Sequence, residues 1–312
     1  MSILHATDVI KKYGDFAALD GFSCEIPQGI TGLLGPNGAG KTTFIRSLLG
    51  LIPFEEGSVS VLDDQYHLPK DILTVKDLIG YMPEKETRMH RTNAMKYVSH
   101  FGRLAGLPYK VSRQRAFDVL HYVGLEEARY REMNTFSSGM LQRVKLATAL
   151  VQDPAIIILD EPTAGMDPQG REQMLNLITD LGKKHEKNII FSTHLLPDIE
   201  KTSNYAVVIN RGRRVMQGDL QTLMTAQGKT ITLRIQVSGN PLSFVKALGQ
   251  EGLEARIEGP EVSFTAESVD DDLYRSMFRI ARGIDMDIRK ITPNKLRLED
   301  VFIDAVNTGG QH

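Results

Sequence analysis

A glycine-rich loop near the start of the chain constrains the fold more than any other stretch. Residues 35–43 read GPNGAGKTT and match the pattern G-x-x-x-x-G-K-[ST] at every fixed position. The apolar run 30–34 predicts a buried strand and the run 44–49 predicts a helix, a context that favours a phosphate-binding loop over a simple glycine turn. Glycines let backbone N–H groups surround phosphate oxygens, and a helix N-terminus adds further N–H donors. The predicted phosphate-binding residues are Gly35, Pro36, Asn37, Gly38, Ala39, Gly40, Lys41, Thr42 and Thr43.

Two later strands end in residues suited to phosphate chemistry. The apolar run 156–159 leads to Asp160 and Glu161, and the run 189–192 leads to His194. In open parallel sheets, ligands bind outside the carboxyl ends of the strands, so these side chains are expected beside the glycine loop. Taken alone, the acidic pair would indicate an ordinary turn and the histidine a structural role. The complete glycine loop favours the functional interpretation for both.

The chemistry of a nucleoside triphosphate gives each of these side chains a role. Lys41 can reach the β- and γ-phosphates, and the Thr42 hydroxyl can ligate Mg²⁺. Asp160 is the expected second Mg²⁺ ligand, and Glu161 is the expected general base for the water that attacks the γ-phosphate. His194 can contact the γ-phosphate or the attacking water. The predicted catalytic residues are therefore Glu161, His194 and Lys41.

Composition limits the class of protein. The 312 residues suit one large or two ordinary domains, and 41% hydrophobic residues predict a packed core. A net charge of −2 gives no general attraction to nucleic acid or anionic lipid. The single cysteine, Cys24, fits a reducing compartment, and the first residues lack the layout of a signal peptide. No apolar run approaches the ~18 residues of a transmembrane helix, so we expect a partner to supply any membrane span.

The pattern of strands and helices predicts two domains. Over residues 1–226, antiparallel N-terminal strands precede strands that alternate with helices, which predicts an α/β domain with a mostly parallel sheet. A mostly helical insertion is expected at about 84–150. Residues 229–312 follow the order βαββαβ, which predicts a small ferredoxin-like α+β domain. A last helix with one apolar face is predicted at 298–306.

In their order along the chain, these motifs resemble those of the nucleotide-binding subunits of ATP-binding cassette (ABC) transporters. The resemblance covers about residues 4–218 and implies a P-loop NTPase fold of the ABC cassette type. The other matching stretches are 12–14 (KYG, the aromatic loop), 136–143 (FSSGMLQR, the signature), 160–163 (DEPT, the Walker B end), 164–168 (AGMDP, the D-loop) and 192–194 (STH, the switch histidine).

The resemblance implies roles that the residues alone do not assign. A serine-capped helix start with a following glycine is a second anion site, which one nucleotide does not need from the same chain. The family resemblance implies that Ser137, Ser138 and Gly139 complete the ATP site of a second copy, in a head-to-tail homodimer. It also implies that Tyr13 stacks on adenine and that Asp167 lies near the dimer seam.

Two departures from the commonest family pattern concern coupling and the branch of the family. In the stretch 80–84, GYMPE, Glu84 stands where many members have glutamine, and the resemblance implies that it contacts both nucleotide and Mg²⁺. Ser138 and Met140 replace the commonest glycine and glutamine of the signature. These variations, together with the tail stretch 298–302, LEDVF, resemble the branch of ABC exporters with a separate membrane subunit.

We therefore expect an ATP- and Mg²⁺-dependent hydrolase that energises a separate integral-membrane permease, with export as its direction. The resemblance places it at the cytoplasmic face of the cell membrane as a peripheral protein, with the helical region at about 84–131 against the permease. The alternative is a soluble ABC-type ATPase acting on nucleic acid or ribosomes. Long coiled-coil insertions, zinc-binding cysteines and a basic stripe are missing from the sequence, so no nucleic acid partner is expected. Glu161 argues against a third possibility, a regulatory module that binds ATP without hydrolysis.

Overall fold

A six-stranded sheet forms the centre of the larger of two structural units. The computed structural model describes residues 2–63, 65–85, 91–226, 231–250, 253, 255–258, 261–266 and 271–294. The units are Met1–Leu220 and Gln221–His312. The domain boundary expected from the sequence, at 226 to 229, falls just after the helix Leu220–Ala226, which begins at this division. The assignment of two domains stays a prediction.

The strands of the first unit form two sheets. Its strands are β1 (Ser2–Tyr13), β2 (Phe16–Pro27), β3 (Ile30–Leu34), β4 (Glu56–Val61), β5 (Tyr66–Leu68), β6 (Ile79–Met82), β7 (Ile156–Asp160), β8 (Asn188–Thr193), β9 (Tyr205–Asn210) and β10 (Arg213–Asp219). The central sheet has the order β10-β9-β3-β8-β7-β6, with every neighbouring pair parallel except the edge pair β10 and β9. A second, antiparallel sheet has the order β2-β1-β4-β5. The mostly parallel sheet with antiparallel N-terminal strands is therefore confirmed.

The helices of this unit begin and end at recognisable signals. They are α1 (Lys41–Leu48), α2 (Ile72–Leu78), α3 (Ala94–Leu104), α4 (Tyr109–Tyr122), α5 (Ser138–Leu150), α6 (Pro168–Lys183) and α7 (Leu196–Thr202); α8 (Leu220–Ala226) crosses the division. Ser137 caps α5 by accepting the Met140 N–H, and Asp167 caps α6 by accepting the Gly170 N–H. A side-chain acceptor at this position satisfies a backbone donor that the helix itself cannot. The sequence predicts a helix at about 168–183, and α6 has these bounds because Asp167 and the proline after it mark its start.

The parallel direction of the central strands places the glycine loop and the acidic pair at the same edge of the sheet. Every residue of β3 and β7 is buried, as expected for a central strand packed on two faces. Two strands, β9 and β8, lie on either side of β3, and β8 also pairs with β7. Because these strands are parallel, their carboxyl ends meet at one rim. No helix in the described parts of the chain is both long and apolar enough to cross a bilayer.

The second unit has its own antiparallel sheet and core. Its elements are β11 (Ile231–Val237), α9 (Pro241–Gln250), β12 (Ala255–Glu258), β13 (Glu261–Ala266), α10 (Asp271–Gly283) and β14 (Ile288–Asn294). The sheet order is β12-β13-β11-β14, and its core includes Leu233, Phe244, Phe264 and Met277. The ferredoxin-like class of this unit stays a prediction, and the helix predicted at 298–306 lies outside the described residues.

One strand of this unit starts later than its sequence pattern predicts. The pattern predicts a strand near 286–291, and β14 begins at Ile288. The Met286 N–H donates to the Ala281 carbonyl at 2.9 Å, and Asp285 has a φ of 54°. Met286 therefore belongs to the turn that ends α10, although it is apolar and buried as a strand residue would be.

Candidate nucleotide-binding site

The glycine loop runs from β3 to the first residue of α1. Gly40 is the N-cap of α1 with a φ of 111°, and a Cβ at this position would come within 2.5 Å of the Ala18 carbonyl oxygen. Gly38 has a φ of 82°. Residues other than glycine rarely adopt these backbone angles. Because glycine has no Cβ, the backbone N–H groups of the loop stay accessible to a phosphate.

Lys41 is the first residue of α1 and is almost fully buried. Its ammonium donates to the carbonyl oxygens of Gly35 at 2.7 Å and Pro36 at 3.2 Å. It also lies 3.3 Å from a carboxylate oxygen of Glu161. A buried ammonium is costly unless it is paired, and these partners hold its positive charge at the loop.

Asp160 ends β7 beneath the loop and is 1% exposed. Its Oδ1 accepts hydrogen bonds from the Thr42 hydroxyl at 3.3 Å and the Ser192 hydroxyl at 2.6 Å. Its buried Oδ2 has no hydrogen-bond partner among the described residues. A carboxylate oxygen left over in this way, beside a threonine hydroxyl, is a donor set that Mg²⁺ accepts, so the residues present fit the predicted ion.

Glu161 follows Asp160 in an uncommon backbone conformation. Its φ is 49°, in the left-handed region, and its N–H donates to the Ser192 hydroxyl at 2.9 Å. Its Oε2 lies 3.1 Å from Nδ1 of His194, while Oε1 faces Lys41. The carboxylate is thus held between an imidazole and an ammonium. Strained backbone of this kind concentrates at functional sites.

Tyr81 lies on the neighbouring strand β6 and is partly buried. Burial raises the pKa of its hydroxyl to about 12, and the negative charge of Asp160 adds to this effect. The phenol therefore stays protonated near neutral pH and cannot accept a proton there.

One cavity of about 550 Å³ joins most of the residues singled out in the sequence. Gly35 and Asp160 do not line this cavity, but the Gly35 carbonyl accepts a hydrogen bond from Lys41 and the Asp160 carboxylate accepts one from Thr42. The predicted residues that line it are Tyr13, Pro36, Asn37, Gly38, Ala39, Gly40, Lys41, Thr42, Thr43, Glu84, Glu161 and His194.

The signature residues lie elsewhere in the same chain. Ser137, Gly139 and Asp167 line a separate cavity of about 630 Å³. Ser138 is exposed, and its hydroxyl donates to the Gly165 carbonyl at 2.9 Å. None of these four residues lines the cavity of the glycine loop. The structure of one chain therefore separates the predicted site residues into two groups.

Phe16 and Ser192 are among the site residues that the sequence did not single out. Phe16 is 61% exposed and lines the glycine-loop cavity beside Tyr13, its partner across the β1–β2 turn. The sequence signal for Phe16 was its position directly after a turn, since another aromatic residue, Tyr13, stands directly before that turn. Ser192 contacts both Asp160 and the Glu161 backbone, and its signal was a hydroxyl at the end of an apolar strand.

Comparison with known proteins assigns the family. The sequence matches the family described as ABC transporter over residues 19–164. It is 32% identical over 247 residues to the linearmycin resistance ATP-binding protein LnrL of Bacillus subtilis (strain 168), covering 79% of this chain and 78% of that protein. This chain belongs to the ABC transporter family of ATP-binding proteins. The family resemblance recognised in the sequence is therefore confirmed.

Two further matches support this cassette assignment. The chain is 33% identical over 304 residues to the Nod factor export ATP-binding protein I of Sinorhizobium fredii (strain NBRC 101917 / NGR234), covering 96% of this chain and 84% of that protein. Its fold resembles the dimeric structure of MJ0796, a bacterial ABC transporter cassette, with a TM-score of 0.62, 22% identity and coverage of 70% and 99%. The protein is thus an ABC-type ATPase with the cassette fold, and ATP is its nucleotide.

Removal of an aromatic ring from the cavity wall is expected to weaken ATP binding selectively. Stacking of a base on an aromatic side chain is worth about 1–3 kcal/mol by alanine substitution. Tyr13→Ala and Phe16→Ala should therefore each raise the Kd for ATP roughly tenfold, measured by calorimetric titration. Inorganic tripolyphosphate, which has no base, should bind both variants as it binds the unmodified ATPase.

A matched control tests this assignment. Leu51 is 59% exposed and does not line the cavity, so Leu51→Ala should leave the ATP Kd unchanged. Equal losses of ATP and tripolyphosphate binding in Phe16→Ala would show that the ring supports the loop and does not contact the base.

Proposed function

We propose that this ABC ATPase works as a head-to-tail homodimer that hydrolyses Mg·ATP and energises export through a separate membrane permease. The observation that carries the pairing is the division of the predicted site residues between two cavities. A serine-capped helix start offers N–H donors to an anion, yet Ser137 lies apart from the glycine loop of its own chain. A second copy in the opposite orientation would supply the missing half, and the dimer recorded for the similar cassette supports such pairing.

The described contacts support a division of labour at each site. Lys41 would offset the charge of the β- and γ-phosphates, because its ammonium is already aimed at the loop. Glu161 would take the proton of the attacking water, and His194 would orient that carboxylate through its Nδ1 contact.

The Mg²⁺ site would use oxygen ligands from three parts of the chain. We assign it to the Thr42 hydroxyl, the free Oδ2 of Asp160 and the Glu84 carboxylate, which is exposed on the cavity wall. When bound, the ion stabilises the negative charge that develops on the transferred phosphate. Glutamate in place of the commoner glutamine adds a negative charge to this wall.

The names of the relatives support export and a separate ATP-binding subunit. One is named for resistance to linearmycin and the other for export of Nod factor, and each is an ATP-binding protein. The assignment to an export complex follows from these two names and from the branch features of the signature. The same assignment places the chain as a peripheral protein on the cytoplasmic face of the membrane.

A basic cleft between α3 and α4 is the surface that we assign to the permease. Residues 91–131 contain eight lysines and arginines against three aspartates and glutamates, although the whole chain has a net charge of −2. Arg103 and Arg113 both lie over the ring of exposed Tyr109, at 5.9 Å and 5.7 Å from its centroid. The cleft measures about 350 Å³ and no acidic side chain lines it in the described part of the chain. An acidic cytoplasmic segment of the permease would complement this charge.

Reversal of charge in the basic cleft tests the proposed function. Arg103→Glu combined with Arg113→Glu should abolish co-sedimentation with membranes that contain the co-expressed permease, because two attractive contacts become repulsive. Basal ATP hydrolysis of the purified protein should stay within about twofold, since neither arginine lines the nucleotide cavity.

The second unit offers a matched control. Arg279 and Arg282 are exposed on α10, so the same double charge reversal there should leave membrane association unchanged. Membrane association that survives reversal of Arg103 and Arg113, with normal ATPase stimulation, would refute the assigned surface. Nucleic acid or ribosomes that co-sediment in place of membranes would favour the alternative function.

A further inference from the structure

A buried lysine connects the signature helix to the loop that carries Glu84. Lys145 lies on α5 and is 5% exposed. Its ammonium donates to the carbonyl oxygens of Pro83 at 3.0 Å and Glu84 at 2.8 Å. Hydrogen bonds from a charged donor are stronger than those between neutral groups, so this contact fixes the backbone on which the Glu84 carboxylate is mounted.

The rest of α5 is packed tightly on the strand that leads to Glu84. Gly80 of β6 approaches α5 so closely that a Cβ there would come within 2.0 Å of the Ala149 carbonyl oxygen. At the far end of the same strand, the Gln152 amide donates to the Ile79 carbonyl at 2.9 Å. Helix α5, strand β6 and the Glu84 backbone are therefore one packed body, in which small shifts are transmitted.

This body has an end at each of the two cavities. Its α5 is capped by Ser137, which lines the signature cavity, while Glu84 lines the cavity of the glycine loop. Lys145 is two turns along the helix from Ser137, a distance of roughly 12 Å at the rise of an α-helix. In a head-to-tail dimer, Ser137 would contact the ATP held by the partner, whereas Glu84 would contact the ATP held by its own chain.

We propose that Lys145 couples the two ATP sites of the dimer, by carrying the engagement of Ser137 at one site to the position of Glu84 at the other. The inference rests on the head-to-tail pairing proposed above. Lys145 is a positioning residue, because it acts through the Glu84 backbone and does not line the ATP cavity. Coupling of this kind appears as cooperativity between two sites, with a Hill coefficient between one and two.

The test compares three variants of the full chain. Lys145→Met removes the cation and its hydrogen-bond donors at similar side-chain length, whereas Lys145→Arg keeps both. Gln152→Leu removes the hydrogen bond from the Gln152 amide to the Ile79 carbonyl of β6. We expect the ATPase rate against ATP concentration to give a Hill coefficient above one for the unmodified chain, Lys145→Arg and Gln152→Leu. For Lys145→Met it should fall to about one, because the sites then act independently.

A second measurement separates this proposal from the pairing on which it rests. Each variant is also made with Glu161→Gln, and its Mg·ATP-dependent dimer is measured by sedimentation. We expect Lys145→Met to dimerise normally. Failure of every variant to dimerise, including Glu161→Gln alone, would overturn the pairing and with it the coupling. A normal dimer in Lys145→Met with an unchanged Hill coefficient, or equal losses of cooperativity in Lys145→Met and Gln152→Leu, would overturn the coupling alone.

Discussion

Glu161→Gln is expected to lose most ATP turnover while ATP binding is retained. The amide cannot accept a proton from water, and loss of a general base typically costs about 10²–10⁴-fold in rate. Its size is nearly unchanged, so the contacts of the neighbouring backbone with Ser192 should persist. Lys41 loses an anionic neighbour at 3.3 Å and keeps its bonds to the loop carbonyls, which leaves it free to hold phosphate.

Single-turnover hydrolysis of bound ATP measures this effect without the complication of product release. Glu172 provides the matched control, because it is an exposed acid on α6 that pairs with Lys201 at 3.2 Å outside the cavity. Glu172→Gln should hydrolyse ATP at the unmodified rate. A single-turnover rate in Glu161→Gln equal to that of the unmodified ATPase would remove Glu161 from the role of base.

A mixture of two inactive variants is expected to regain ATPase activity. Lys41→Ala removes the ammonium held at the loop, and Ser137→Arg fills the start of α5 with a large cation. A mixed dimer has one site in which an intact loop faces an intact signature. With random pairing, half of the dimers are mixed, so activity should reach up to about a quarter of the unmodified level when the sites act independently.

Two controls accompany the mixture, one for the folding of Ser137→Arg and one for the requirement of a complete site. Loss of the Ser137 cap costs about 1 kcal/mol, so Ser137→Arg should still fold, as circular dichroism can verify. Lys41→Ala mixed with a chain carrying both substitutions has no complete site and should stay inactive. A mixture that forms mixed dimers without activity, or a Ser137→Arg chain that is fully active alone, would rule out head-to-tail sites.

The element types were predictable because their signals are local. Ser137 and Asp167 mark helix starts through bonds to N–H groups three residues away, and Pro83 follows the end of β6. Alternation and apolar runs are likewise visible within a few residues. The order of motifs then resembled that of the ABC family, and this resemblance implied the cassette fold.

The sequence by itself thus determined the elements, the phosphate loop and the family to which the chain belongs. Only the tertiary structure decided which distant residues meet: Thr42 with Asp160 across 118 positions, and Lys145 with Glu84 across 61. It also placed Phe16 at the cavity and separated Ser137 from it. The physical reason is that local signals fix backbone conformation through neighbouring residues, whereas contacts between distant residues depend on strand order and helix packing, which no short stretch encodes.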